Sequence, residues 1–105
     1  MKEFTNKVLE LKKEIEYAKG SIVSKIIYKG KEVISTLFAL EKDQSIAEHV
    51  TPFDALVQLL EGEAEITIGS EKKVVKAGES IIMPINVPHA LYATESFKML
   101  LVMMK

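Results

Sequence analysis

The chain has 105 residues and a formal net charge of −1, with 48% hydrophobic and 28% charged residues. This length suits one domain with a single core, and the balanced charge excludes a disordered charged tail and an electrostatic nucleic-acid binder. The absence of cysteine excludes disulfide bonds and thiolate–metal sites, and the absence of arginine disfavours phosphorylated or nucleotide-linked ligands, which its planar fork grips at two points.

The N-terminal segment, residues 1–20, is predicted to form one amphipathic α-helix. Its apolar side chains recur at helical spacing, at Phe4, Val8, Leu11 and Ile15. Gly20 lies just past the predicted end of the helix. The segment lacks the apolar core of a secretory signal, and no apolar run reaches the about 20 residues that cross a bilayer. We therefore expect a cytoplasmic protein that binds neither membrane nor nucleic acid.

The rest of the chain, residues 21–105, is typical of short antiparallel strands in one domain. Two β-branched runs, over residues 21–28 and 33–40, flank a lysine–glycine–lysine turn. Residues 64–68 alternate apolar and polar side chains before Gly69 turns the chain back into a second strand. Strands at this spacing predict an all-β fold in which an antiparallel sheet is closed or sandwiched.

The last predicted strand, Phe97 to Met104, is apolar nearly throughout. Its methionines are expected to be core filler. Burying both faces of this strand requires either the N-terminal helix or another subunit, so we expect a homodimer.

The two histidines of the chain lie far apart in sequence, each in an extended apolar segment. The residues before His89 match the motif G-x5-P-x-G-x2-H through Gly78 and Pro84, with Asn86 at the middle glycine. Asparagine is the non-glycine residue best suited to a positive φ. On these residues the chain resembles the small single-domain cupins, a resemblance that implies a double-stranded β-helix, or jelly-roll barrel.

The other cupin motif, G-x5-H-x-H-x3,4-E-x6-G, is kept only in part. His49 stands at its first histidine, Gly62 at its closing glycine and Asp43 at its opening glycine. Thr51 replaces the second histidine and Ala55 replaces the glutamate. The resemblance therefore implies a degenerate metal site that has lost two of the family's usual ligands.

A pocket inside the barrel is expected around the two histidines. Side chains two apart along a strand face the same side, so an unbroken strand would aim the residues at 49, 51, 53 and 55 inward. The resemblance also implies that Met83 and His89, from the motif that begins at Gly78, face this pocket. The residues predicted to line the pocket are His49, Thr51, Phe53, Ala55, Met83 and His89.

The candidate metal ligands are His49 and His89, which should bind a divalent ion weakly because such sites generally use at least three protein ligands. A bulge at Pro52 would slip the strand by one residue and turn Asp54 inward as a third ligand. Two histidines and a carboxylate could hold iron, zinc, manganese or nickel. Otherwise no cofactor is expected.

Three functions are compatible with this sequence. We favour a cupin whose barrel pocket binds a small molecule, as a sensor or accessory protein with a degenerate metal site. The second is a metal-dependent dioxygenase or isomerase with the metal on both histidines. The third is a metal-free, epimerase-like acid–base enzyme, with a histidine as base and Tyr28 or Tyr92 as acid. The missing arginines disfavour the third function, and the sequence leaves enzymatic activity open.

Overall fold

The computed structural model describes residues 2–105, which form antiparallel strands in two facing sheets. In chain order the strands are β1 Ile22–Lys29, β2 Val33–Leu40, β3 Ser45–His49, β4 Asp54–Glu61, β5 Glu63–Ile68, β6 Glu71–Lys76, β7 Ser80–Met83, β8 His89–Ala93 and β9 Phe97–Met104. One sheet has the order β1-β2-β9-β4-β7, and the other has the order β3-β8-β5-β6. The prediction of an all-β fold is confirmed.

The main core lies between the two sheets and follows from the two-residue period of the strands. Val57 and Leu59 of β4 and Phe97 of β9 point inward and are at most 1% exposed. They meet Ala64 and Ile66 of β5, which belong to the opposite sheet and are 0% exposed. The interior is therefore filled by side chains at this level of the barrel.

The junction of β4 and β5 depends on Gly62, which has a φ of +83°. A Cβ at this position would lie 2.0 Å from the carbonyl oxygen of Ser96 and 2.7 Å from the Cα of Phe97. Only glycine lets these two backbone segments approach so closely. The glycine thus allows the junction of β4 and β5 to pack directly against the start of β9.

Two further turns use the left-handed backbone region with non-glycine residues. Asn86 has a φ of 62°, which confirms the prediction that asparagine adopts the glycine conformation of the motif. Asp43, at the opening glycine of the other motif, has a φ of 73°. Short polar side chains tolerate this region best, so both substitutions preserve the turns.

The prediction of an amphipathic α-helix over residues 1–20 is wrong for the described part, residues 2–20. This part contains only two 3₁₀ turns, Lys2–Phe4 and Leu11–Lys13. Asn6 has a φ of 64°, which interrupts any helix, and Val8 is fully exposed. An isolated helix of this length is marginal in water, so tertiary contacts decide its conformation. Met1 lies outside the described residues.

Residues 11–17, here called the strap, instead run across the outer face of the five-stranded sheet. Ile15 of the strap packs on Leu37 and Ala39 in a second, smaller core. Carbonyl groups of the strap, which a helix would satisfy internally, accept hydrogen bonds from lysines of the sheet. Lys98 donates to the carbonyl of Lys12 at 2.7 Å, and a lysine of β1 donates to the carbonyl of residue 14. Among residues 2–105, no helix is long and apolar enough to cross a membrane.

Candidate functional site

The two histidines meet face to edge at one end of the barrel. His49 ends β3, His89 begins β8, and the two residues are directly paired across these strands. Their ring centroids lie 4.2 Å apart with an interplanar angle of 75°, and the two Nε2 atoms are 3.0 Å apart. The structure therefore brings together two side chains that are far apart in sequence.

Backbone carbonyl groups hold both rings in this orientation. The Nδ1 atom of His49 lies 2.9 Å from the carbonyl oxygen of Ala47, and the Nδ1 atom of His89 lies 3.3 Å from that of Val87. A carbonyl oxygen can only accept, so each contact favours a proton on Nδ1 and directs Nε2 toward the other ring.

Two connecting segments fix the positions of the histidines. The chain crosses from β3 in one sheet to β4 in the other through residues 50–53, and a second connection, residues 84–88, leads into β8. Asn86 donates its backbone N–H to the carbonyl of Thr51 at 3.0 Å. Ile85 donates its backbone N–H to a carboxylate oxygen of Asp54 at 2.8 Å. Each segment thus holds the other in place beside the imidazoles.

The imidazole pair faces a cavity of about 210 Å³ inside the barrel. Most of its wall is apolar, and none of its lining residues carries a permanent charge. The cavity is lined by Ile22, Phe38, Ile46, His49, Thr51, Ala55, Met83, His89, Leu91, Met99, Leu101 and Met103. His89 is only 3% exposed, whereas His49 is exposed at the rim.

The structure places all but one of the residues predicted for the pocket on this wall. Phe53 does not line the cavity, and its ring lies 6.0 Å from the Nζ atom of Lys105. The expectation assumed one unbroken strand from position 49 to position 55. Because the chain leaves one sheet and enters the other between these positions, the alternation of side chains does not carry through.

The residues of the cavity do not fit the complete divalent metal site of the cupin motif. Thr51 donates its hydroxyl to the carbonyl of Phe53 at 3.1 Å, and Ala55 offers no ligand atom. Asp54 does not line the cavity, because it faces outward and accepts the hydrogen bond from Ile85. Within residues 2–105, no group of three or more histidine, cysteine or acidic side chains could hold a metal ion.

Sequence reasoning missed several lining residues, including Met99, Leu101 and Met103 on β9. The two-residue alternation of β9 places these three side chains on one face of the strand. The sequence does not show whether that face points into the barrel or away from it. The two tyrosines considered as acids do not line the cavity. Tyr28 is 52% exposed, and the hydroxyl of Tyr92 donates to Asp43 at 2.6 Å.

The environment of His89 disfavours its charged form. Burial lowers the pKa of His89 below its ordinary value of 6.5, and the neighbouring His49 lowers it further, while the carbonyl of Val87 opposes both effects. These effects together favour the neutral form of the ring. A neutral imidazole at an apolar wall can donate or accept a hydrogen bond without bringing a charge into the cavity.

Two facing antiparallel sheets with a cavity at one end define the chain as a double-stranded β-helix barrel. The model of the cupin domain family matches residues 36–104, so the chain belongs to the cupin family. No curated protein matches the chain.

Several solved structures share this fold, and two of the three described here are named as cupins. A conserved protein of unknown function from Streptococcus pyogenes is 43% identical, with a TM-score of 0.90, and the match covers 95% of this chain and 88% of that one. A cupin 2 conserved barrel domain protein from Leptotrichia buccalis is 39% identical, with a TM-score of 0.89, over 92% of this chain and 47% of that one. A cupin superfamily protein from Desulfitobacterium hafniense is 26% identical, with a TM-score of 0.89, over 95% and 92%.

Proposed function

We propose that the barrel pocket binds a small organic molecule and that the protein acts as a sensor or accessory protein without a resident divalent metal. The observation that carries this proposal is the apolar cavity with two neighbouring imidazoles as its main polar groups. Ligand pockets in proteins are mostly apolar concavities with a few polar groups that fix orientation. The cavity of this cupin has that composition.

A pocket-filling variant tests whether the cavity is the binding site. Ala55→Leu adds three heavy atoms to the cavity wall and should abolish binding of small organic probes, followed by NMR shifts of cavity methyl groups. The matched control is Val102→Leu, which enlarges an outward-facing side chain on the neighbouring strand β9 and should leave binding unchanged. Equal binding by both variants would place the binding site elsewhere.

Metal analysis separates this proposal from a metal-dependent dioxygenase or isomerase. The convergence of both Nε2 atoms is the one feature that favours a metal. Protein purified without a His-tag should contain well under one equivalent of iron, zinc, manganese or nickel, because two histidines form a weak site. Near-stoichiometric metal that is lost in a His49→Ala variant would favour the enzyme.

We also propose that the protein is a homodimer. Beyond the strap, the outer face of the five-stranded sheet exposes apolar side chains in neighbouring strands. Ile82 is 59% exposed and Met104 is 38% exposed, and Leu56 lies beside Ile82 in the register of β4 and β7. Light scattering should give a dimer mass for the natural protein and a monomer mass for Ile82→Lys. A natural protein that is monomeric at micromolar concentration would refute the dimer.

A further inference from the structure

We infer that the pocket selects small, uncharged aromatic molecules that bring one hydroxyl group to the imidazole pair. This inference rests on the proposed binding function and specifies its ligand class. It depends on three features of the site: the proton count of the imidazole pair, the size and chemistry of the apolar wall, and the absence of permanent charge among the lining residues.

With both rings neutral, the imidazole pair has one N–H too few for its three contacts. Its contacts are the two Nδ1–carbonyl pairs and the Nε2–Nε2 pair, and each of these three contacts needs one N–H. Two neutral imidazoles carry one N–H each, so one contact always sets lone pair against lone pair. When both carbonyl oxygens accept a hydrogen bond from an Nδ1–H group, the two Nε2 lone pairs face each other at 3.0 Å.

A hydroxyl donor from a ligand reduces this conflict. An O–H placed beside the two rings donates a hydrogen bond to one of the two Nε2 atoms and so pairs a lone pair that otherwise faces no donor. An ether, a ketone or a hydrocarbon cannot do so, because none of them carries a donor. The site therefore favours ligands that carry a hydrogen-bond donor over ligands that carry only an acceptor. A ligand without a donor leaves the Nε2 atoms unpaired, which lowers its affinity.

The size and lining of the cavity favour an aromatic ring. A cavity of about 150 Å³ holds a benzene molecule, and this cavity measures about 210 Å³, which leaves room for a ring with one or two small substituents. The thioethers of Met83, Met99 and Met103 lie on its wall together with the ring of Phe38. Thioether–aromatic contacts are favourable, and methionine adapts to the shape of its partner.

Charged ligands are excluded by the same wall. Among residues 2–105, no lysine, aspartate or glutamate lines the cavity. A carboxylate moved into this environment would lose its hydration without gaining a counter-ion. The hydroxyl must therefore belong to a neutral molecule, such as a simple phenol.

The test compares matched probes on the natural protein by NMR titration. The probes are p-cresol, toluene, 4-methylanisole, 4-methylbenzoate and 4-methylcyclohexanol. We expect p-cresol to bind about tenfold more tightly than toluene and 4-methylanisole, which lack the donor but are smaller and larger than the phenol. We expect 4-methylbenzoate and the non-aromatic alcohol to bind more weakly than p-cresol as well.

Variants assign this preference to the imidazole pair. The double variant His49→Leu/His89→Leu should bind toluene within about twofold of the natural protein and lose the preference for p-cresol. Tyr92→Phe removes a hydroxyl outside the cavity and should keep the full preference. If the double variant does not fold, His49→Phe/His89→Phe replaces it, because it also removes both Nε2 acceptors and should lose the preference.

The possible outcomes separate this inference from the function on which it rests. If toluene, the ether or the benzoate binds in the cavity as tightly as p-cresol, the hydroxyl inference is wrong and the binding function stands. If the histidine variants keep the preference, the inference is also wrong. If no small organic molecule perturbs the cavity residues, the binding function itself is refuted.

Discussion

The two ends of the barrel are built from the same strands, yet one end is filled and the other holds a cavity. At the filled end, β4 and β9 contribute Leu59 and Phe97, which are at most 1% exposed. At the open end, the same strands contribute Ala55 and Met103, which line the cavity. A short and a flexible side chain leave space where large, rigid side chains close it.

This difference separates stability from function within one small domain. The filled end supplies the close packing that a chain of 105 residues needs, and the open end keeps room for a ligand. The cupin metal ligands would belong to the open end, where Thr51 and Ala55 now stand. Substitutions should therefore affect unfolding at one end and binding at the other.

The largest effect is expected at the filled end, from Gly62→Ala. The new Cβ would collide with backbone atoms of Ser96 and Phe97, and φ is +83°. We expect a loss of more than about 4 kcal/mol in the free energy of unfolding, or no folded protein. Gly78→Ala is the control, because φ is +87° but nothing lies within 4 Å of its added Cβ. It should cost only about 1 kcal/mol. Equal losses would contradict the close approach at Gly62.

The next effect compares large-to-small substitutions at the two ends. Phe97→Ala should cost about 3–5 kcal/mol in urea unfolding, because the residue is 0% exposed and leaves a void in close packing. Met103→Ala should cost about 1 kcal/mol, since its side chain is partly exposed and already borders the cavity. A Met103→Ala loss as large as that of Phe97→Ala would show that the cavity end is also close-packed.

The reverse substitution sharpens the same comparison. Ala64→Leu forces three heavy atoms into the filled end, where the residue is 0% exposed, and should cost about 1–3 kcal/mol. Ala55→Leu places the same atoms beside the cavity and should change the unfolding free energy by less than about 1 kcal/mol. If both variants are destabilised equally, the cavity does not offer the space that its volume indicates.

The smallest effect is the pH dependence that His89 contributes. Because its pKa in the folded protein lies below the value of 6.5, the unfolded chain takes up the proton first as the pH falls. The stability is complete above pH 6.5 and decreases below it. His49 faces the ring, and none of the described residues that line the cavity is a carboxylate that could reverse the effect. Urea unfolding between pH 7.5 and 5.5 should show this decrease, and His89→Leu should reduce it. An NMR titration that gives His89 a pKa above 6.5 would contradict this account.

The cupin motifs predicted the barrel and five of the twelve residues that line the cavity, because the motifs fix turns and strand registers. The positive φ at Asn86 followed from the glycine position of the motif and from the tolerance of asparagine for this conformation. The prediction of an N-terminal helix was wrong because the outer face of the five-stranded sheet, which the sequence does not show, binds Ile15 of the strap. The prediction that Phe53 lines the pocket was wrong because the sequence does not show where the chain leaves one sheet for the other. Asp54 could not be placed without the turn that donates to it.

The most direct test of the account is a crystal structure of the protein purified without a His-tag, with anomalous diffraction data. The account predicts the Nε2 atoms of His49 and His89 facing each other at about 3.0 Å, with water or a neutral organic molecule beside them and no anomalous peak. Rings that point away from each other, or a strong anomalous peak bonded to both Nε2 atoms, would contradict it.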